Sequence, residues 1–110
     1  MKFRVRTLSR AQRDVDSIVR WLSEAQQSPE GASAWSLAYE RALDRLERSP
    51  RGCGPAPENA FVDIEVRQCL FSTRRGRTYR AVFTIMEDEI RILRVRGPGQ
   101  ALLTEDELQT

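Results

Sequence analysis

The chain contains no histidine, a single lysine and two cysteines, and it has no apolar run near the roughly 18 residues that a membrane-crossing helix needs. Without histidine there is no zinc site of the Cys/His kind, no Ser-His-Asp or Cys-His nucleophile system, and no imidazole to serve as acid or base. No metal ligand set and no cofactor are expected. Cys53 and Cys69 allow at most one disulfide. The N-terminal run Met1-Lys2-Phe3-Arg4-Val5-Arg6 alternates charge where a secretory signal needs about 7 to 15 apolar residues. Both thiols are therefore expected to be reduced, and the protein is expected to be cytoplasmic with no membrane association.

What the chain does have is arginine. All but one of its 18 basic residues are arginine, the side chain that grips phosphate and carboxylate through a planar fork. A GC-rich coding sequence accounts for such a bias as well as anion binding does, so position along the chain has to separate them. The net charge of +2 and a pI near 8.8 suit a nucleic-acid partner without requiring one. Locally the bias is steeper, because the stretch from Ser72 to Arg80 holds Arg74, Arg75, Arg77 and Arg80 and no acid. With 40% hydrophobic and 31% charged residues, positions 1–110 read as one folded domain rather than a disordered tail.

Residues 2 to 8 alternate, Phe3, Val5 and Thr7 against Lys2, Arg4 and Arg6, which predicts a half-buried strand. Ser9 and Gln12 fit a capping box for a helix over about residues 10 to 26, with Ala11, Val15, Ile18, Val19, Leu22 and Ala25 at helical spacing. Ser28-Pro29 starts a second helix, carried by Ala32, Trp35, Tyr39, Ala42 and Leu46 and stopped at Ser49-Pro50. So short a link makes the two helices an antiparallel hairpin. Residues 50 to 60 hold three prolines and two glycines and read as a structureless connector. From Val62 the period returns to two, with Val62, Ile64, Val66, Gln68 and Leu70 on one face and Asp63, Glu65, Arg67, Cys69 and Phe71 on the other. A third strand covers 79 to 86, and the Glu87-Asp88-Glu89 turn leads into a fourth from Ile90 to Arg96. Thr104 and Glu107 fit a second capping box for one helical turn.

This order predicts a two-layer α+β domain: an N-terminal strand, an antiparallel two-helix hairpin and a three-stranded antiparallel meander, with both helices on one face of the sheet. If Phe3/Val5, Ile64/Val66/Leu70, Tyr79/Ala81/Phe83/Ile85 and Leu93/Val95 face the helices, then Arg4, Arg6, Arg67, Arg80, Arg94 and Arg96 emerge together on an open opposite face. Such a surface suits a polyanion or an acidic partner. The alternative is that each arginine pairs with an acid such as Asp63 or Glu65. Trp21, Trp35 and Phe71 belong either to the core or to a partner interface.

This layout resembles the RelE/ParE superfamily of toxins from type II toxin–antitoxin systems, over nearly the whole chain from the first strand to Val95. The residues that carry the likeness are Ala11-x-x-Asp14-x-x-x-Ile18, Ala42-Leu43-x-x-Leu46, Pro50, Glu65-Val66-Arg67, Tyr79-Arg80-x-x-Phe83 and Ile92-Leu93-x-Val95. The resemblance implies a bacterial or archaeal toxin of the plasmid-stabilisation kind, neutralised by a small antitoxin protein that wraps an extended and helical segment over it. RelE-like members cleave mRNA in the ribosomal A site without a metal, and ParE-like members inhibit DNA gyrase. Ribosome-dependent endoribonuclease action is the first expectation, with gyrase inhibition or an inactive basic binding module as alternatives.

By that resemblance Arg67 matches a second-strand arginine near the scissile phosphate, and Glu65 is either a base or the ion-pair partner of Arg67. Arg80, Arg94 and Arg96 complete the candidate catalytic set, and Arg4, Arg6, Arg74, Arg75 and Arg77 are the candidate RNA or phosphate contacts. Relatives often continue the last strand as Val-x-His or end in a functional tyrosine; here the strand reads Val95-Arg96-Gly97, with neither residue after it. Arginine keeps its proton and is a poor base, so a nuclease built on this set leans on Glu65 and on the ribosome to orient the message.

Overall fold

The expected element order is present in the computed structural model, which describes residues 2–109. The strands are β1 (Arg4–Thr7), β2 (Arg67–Ser72), β3 (Thr78–Met86) and β4 (Glu89–Arg96), and the helices are α1 (Ser9–Arg20) and α2 (Pro29–Arg48). The sheet order is β1-β4-β3-β2, with β1 parallel to β4 and the other neighbours antiparallel. Parallel neighbours cannot be joined by a tight turn, and here the helical hairpin and the meander lie between them. Among the described residues no helix is long and apolar enough to cross a membrane.

The start of α2 follows its sequence signal, since Ser28 Oγ accepts the Gly31 N–H at 3.0 Å and Pro29 occupies the first turn. That of α1 does not. Leu8 holds the cap position, Ser9 is already helical, and no side chain caps the end. The far end of α1 loosens into a π-helical turn, Trp21–Ala25, closed by the Gln26 N–H on Trp21 O at 3.0 Å. Gln27 then takes a positive φ of 50° to reverse the chain into α2.

The α2 stripe of Ala32, Trp35, Tyr39, Ala42 and Leu46 is buried, as its spacing requires. It meets Ala81, Phe83, Ile90, Ile92 and Val95 of the sheet, with Val5, Val15, Ile18, Val19 and Leu22 closing the margins. Trp35, Tyr39, Phe71 and Tyr79 form an aromatic group with ring centroids 5.4 to 6.1 Å apart. Trp35 and Phe71 are thus core, whereas Trp21 is half exposed.

Two expected side-chain directions are overturned. β2 begins only at Arg67, and Cys69 and Phe71 face the helices, while Leu70 and Ile64 are exposed and Val66 is buried on the opposite side. Pairing explains this: Cys69 lies opposite Ala81 and Phe71 opposite Tyr79, so both share the helix-packed face of β3. A strand read one residue out of phase exchanges every side chain. In β4 the register shifts at a bulge, Ile92 pairing with Phe83 but Arg94 with Val82. Leu93, the extra residue, points away from the helices while Ile90, Ile92 and Val95 lie under them.

The connector is also not structureless. It forms short 3-10 turns at Pro50–Gly52 and Pro57–Ala60. Asn59 pins the second turn, donating to Ala56 O and Val66 O and accepting the Val66 N–H at 2.9 Å. In the C-terminal tail the Thr104–Glu107 capping box forms as expected, at 2.9 and 3.2 Å. Ala56 and Val66 from the connector side, with Leu103 and Leu108 from the tail, cover Val82 and Leu93 on the face opposite the helices. The sheet is thus covered on both sides around Val82 and Leu93, while the β1 end of the second face, with Arg4 and Arg6, stays exposed.

Candidate functional site

The cover decides what becomes of the arginines. Arg80, which β3 aims away from the helices, meets the fully buried Glu58 of the connector, its Nη1 on Oε1 at 2.8 Å and its Nη2 on Oε2. Glu58 Oε2 also accepts the Leu103 N–H at 2.9 Å. Burial alone pushes the Glu58 carboxyl up, but the Arg80 hydrogen bonds and the Leu103 N–H outweigh it and hold the group below the usual carboxylate range. Arg94 pairs bidentately with Asp14 of α1, Nε to Oδ2 at 2.7 Å and Nη2 to Oδ1 at 2.9 Å. That hydrogen bonding raises the Arg94 pKa above its ordinary value. The same Asp14 oxygen accepts the Val95 N–H at 3.0 Å, on the stretch of β4 that extends past the last β1 pair at Thr7 and Ile92. Arg96 reaches Glu107 Oε2 at 3.4 Å, and its buried Nε has no partner among the described residues.

The side chains of Arg80, Arg94 and Arg96 are only 15%, 13% and 14% exposed. A guanidinium already engaged by a carboxylate and largely dry offers little to an incoming phosphate, because displacing its partner leaves a charge uncompensated. The bare arginine face expected from alternation is therefore corrected: these three lie on the expected side of the sheet, but under a cover and in ion pairs.

Arg67 departs in another way, lying on the helix side of β2 with Cys69 and Phe71. Its Nε donates to Glu65 Oε1 at 3.1 Å and its Nη1 to Cys53 O at 3.0 Å and Arg51 O at 3.4 Å. Glu65 is exposed and within reach of Arg67, so the structure brings these two candidates together but separates them from Arg80, Arg94 and Arg96. Arg4 and Arg6 leave β1 on the face opposite Val5 and converge with Arg91 on Glu89, at 3.8, 3.3 and 2.6 Å; Arg4 also meets Asp88 at 3.2 Å. The Arg91 hydrogen bond and the neighbouring guanidiniums hold Glu89 below the usual carboxylate range.

Arg74, Arg75 and Arg77 are different. All three are exposed on the loop between β2 and β3, and among the described residues none lies within ion-pair distance of a carboxylate. Arg75 and Arg77 line a cleft of about 970 Å³ between this loop and the helical hairpin, to which Trp21, Trp35 and Tyr79 also contribute. Among the described residues no cluster of His, Cys, Asp and Glu converges in a way that holds a metal ion.

Sequence reasoning looked for counter-charges only at Asp63 and Glu65 and missed Asp14, Glu58, Glu89 and Glu107. One signal was present. Asp14 falls on the same helical stripe as Ala11, Val15 and Ile18, and an acid on an apolar stripe calls for a buried partner. Glu58 had no comparable mark within its proline-rich segment.

A family model described as the ParE toxin of type II toxin–antitoxin system, parDE, matches residues 5–101. In fold the chain is similar to one from the chromosomal ParDE TA system of P. aeruginosa, with a TM-score of 0.67 and 21% identity over 87% of this chain and 96% of that one. It is also similar to a chain of the toxin–antitoxin complex RelBE2 from Mycobacterium tuberculosis, with a TM-score of 0.51 and 26% identity over 88% of this chain and 99% of that one. No curated protein matches the sequence significantly.

Proposed function

Because the chain belongs to the ParE toxin family of type II toxin–antitoxin systems, we propose that this toxin acts by binding and inhibiting a protein target of the ParE kind, DNA gyrase, rather than by cutting mRNA. The observation that supports this reading is the buried pairing of Arg80 with Glu58, together with the pairing of Arg94 with Asp14, which withdraws two of the guanidiniums a nuclease would turn on a phosphate. Inhibition by binding needs no base, no acid and no dry catalytic pocket. It needs an exposed, complementary surface, and the loop carrying Arg74, Arg75 and Arg77 supplies three uncommitted cations for an acidic protein surface or for the DNA that gyrase holds.

The nuclease reading keeps one point in its favour, the exposed Glu65 carboxylate 3.1 Å from Arg67. A single induction experiment separates the two. After expression of the toxin without antitoxin, gyrase inhibition gives lost negative supercoiling and double-strand breaks with intact messages, and purified toxin blocks supercoiling by purified gyrase. Codon-aligned cuts in ribosome-bound messages with normal plasmid topology overturn the proposal and return the activity to Arg67 and Glu65.

A further inference from the structure

Cys53 and Cys69 face each other where the connector runs antiparallel to β2. The bridge between Pro55 and Arg67 sets the register. The Ala56 N–H on Val66 O and the Gln68 N–H on Gly54 O, both 3.0 Å, place Gly54 opposite Gln68 and hence Cys53 opposite Cys69. Because the backbone bonds fall on the neighbouring pairs, Cys53 and Cys69 form a non-hydrogen-bonded pair, in which Cα atoms approach to about 4.5 Å with side chains on one face. A disulfide spans Cα separations of about 4.4 to 6.8 Å. Cys69 is buried in the helix-side core and the half-buried Cys53 packs against that core, both as free thiols.

We propose that Cys53 and Cys69 are a modification site, a dithiol that a disulfide oxidant of the glutathione type closes reversibly into an intramolecular disulfide. Cys53 is the accessible partner and reacts first. Its thiolate attacks one sulfur of glutathione disulfide and expels a glutathione thiolate. The Cys69 thiolate then attacks the Cys53 sulfur and expels the second glutathione. Two cysteines are oxidised, one glutathione disulfide is reduced, and the two cysteine protons end on the two glutathiones.

The Arg45 guanidinium, donating to Cys69 Sγ at 3.6 Å, supports the second attack. Against the first attack, burial and the adjacent Cys69 push the Cys53 thiol up to about 11, although Arg45 and Arg67 pull it down. Exchange is accordingly slow at neutral pH and gains about tenfold per pH unit until that value is approached. The bond fastens the connector, and with it Glu58, to the start of β2.

The test uses the full chain with glutathione disulfide at about pH 8.5, read by intact mass, thiol titration and peptide mapping. The expected product has lost two hydrogens, keeps no glutathione, links residues 53 and 69 within one chain, reverts with dithiothreitol and melts on the order of 10 °C higher. Cys69→Ser stops at the mixed disulfide on Cys53, and Cys53→Ser takes up no glutathione while folded. A wild-type protein that retains glutathione, stays a dithiol, or links between chains overturns the proposal. This result is independent of whether the target is gyrase or mRNA.

Discussion

Glu58 on the connector and Arg80 on β3 are joined through both carboxylate oxygens, and Glu58 also holds the Leu103 N–H of the tail at 2.9 Å. One fully buried carboxylate therefore links three chain segments and closes the sheet face opposite the helices. Removing one partner of such a pair strands the other charge in a dry site. Glu58→Gln is expected to cost about 3 to 5 kcal/mol of unfolding free energy by urea titration, and the Glu58→Met/Arg80→Met double variant far less. A single variant as stable as the wild type would show that the pair carries no weight.

The depressed Glu58 carboxyl also sets an acid limit. A group whose folded pKa lies below its unfolded value, about 4.3 for glutamate, contributes fully above that value and loses its contribution as pH falls through the folded pKa. Stability measured from about pH 6 to pH 3 should thus fall on the acid side, and Glu58→Gln should flatten the fall. Glu89 and Glu107, both also held low, keep some of the slope in the variant. Equal slopes in the two proteins would remove Glu58 from the account.

At the open stretch of β4, Asp14 serves both Arg94 and the Val95 N–H. Asp14→Ala loses both interactions, whereas Asp14→Asn keeps an acceptor for the backbone group. We expect about 2 to 4 kcal/mol for alanine and roughly half that for asparagine. Hydrogen exchange at Val95 gives an independent reading, with faster exchange in the alanine variant.

The phase of β2 can be read by two neighbouring truncations. Phe71, in the aromatic group beneath α2, should cost about 3 to 5 kcal/mol as Phe71→Ala, while the exposed Leu70→Ala stays within about 0.5 kcal/mol. The reverse order would restore the phase expected from simple alternation.

The uncommitted loop arginines separate target binding from folding. Changing Arg74, Arg75 and Arg77 together to glutamate should abolish growth inhibition and weaken gyrase binding at least tenfold, with Tm unchanged within about 2 °C because none of the three makes an ion pair among the described residues. Retained toxicity moves the contact surface away from this loop.

Much of the architecture was legible because its signals are local. The apolar spacing of α2, its Ser28-Pro29 start, the alternation of β3 and the Thr104–Glu107 box each act within a few residues and reappear in the structure. The misplacements have local causes too. The period-two pattern from Val62 grouped the β2 residues correctly, but the group holding Val66 and Leu70 was assigned to the helices, whereas pairing with β3 puts Cys69 and Phe71 there. In β4 the bulge puts Leu93 on the face opposite the helices while Ile90, Ile92 and Val95 share the helix side, and alternation, which grouped Leu93 with Val95, has no mark for an inserted residue.

By itself the sequence determined the element order, the helical hairpin, the helix-facing side of β3 and the concentration of arginine, since these follow from side-chain periodicity, capping chemistry and composition. Only the tertiary structure decided which arginines stay available. Glu58 stands 22 residues from Arg80 and Asp14 stands 80 residues from Arg94, and nothing in the spacing of either pair announces a contact. A charge buried during folding must find its counter-charge wherever the chain happens to pass, so pairing follows from proximity in space rather than from pattern along the backbone.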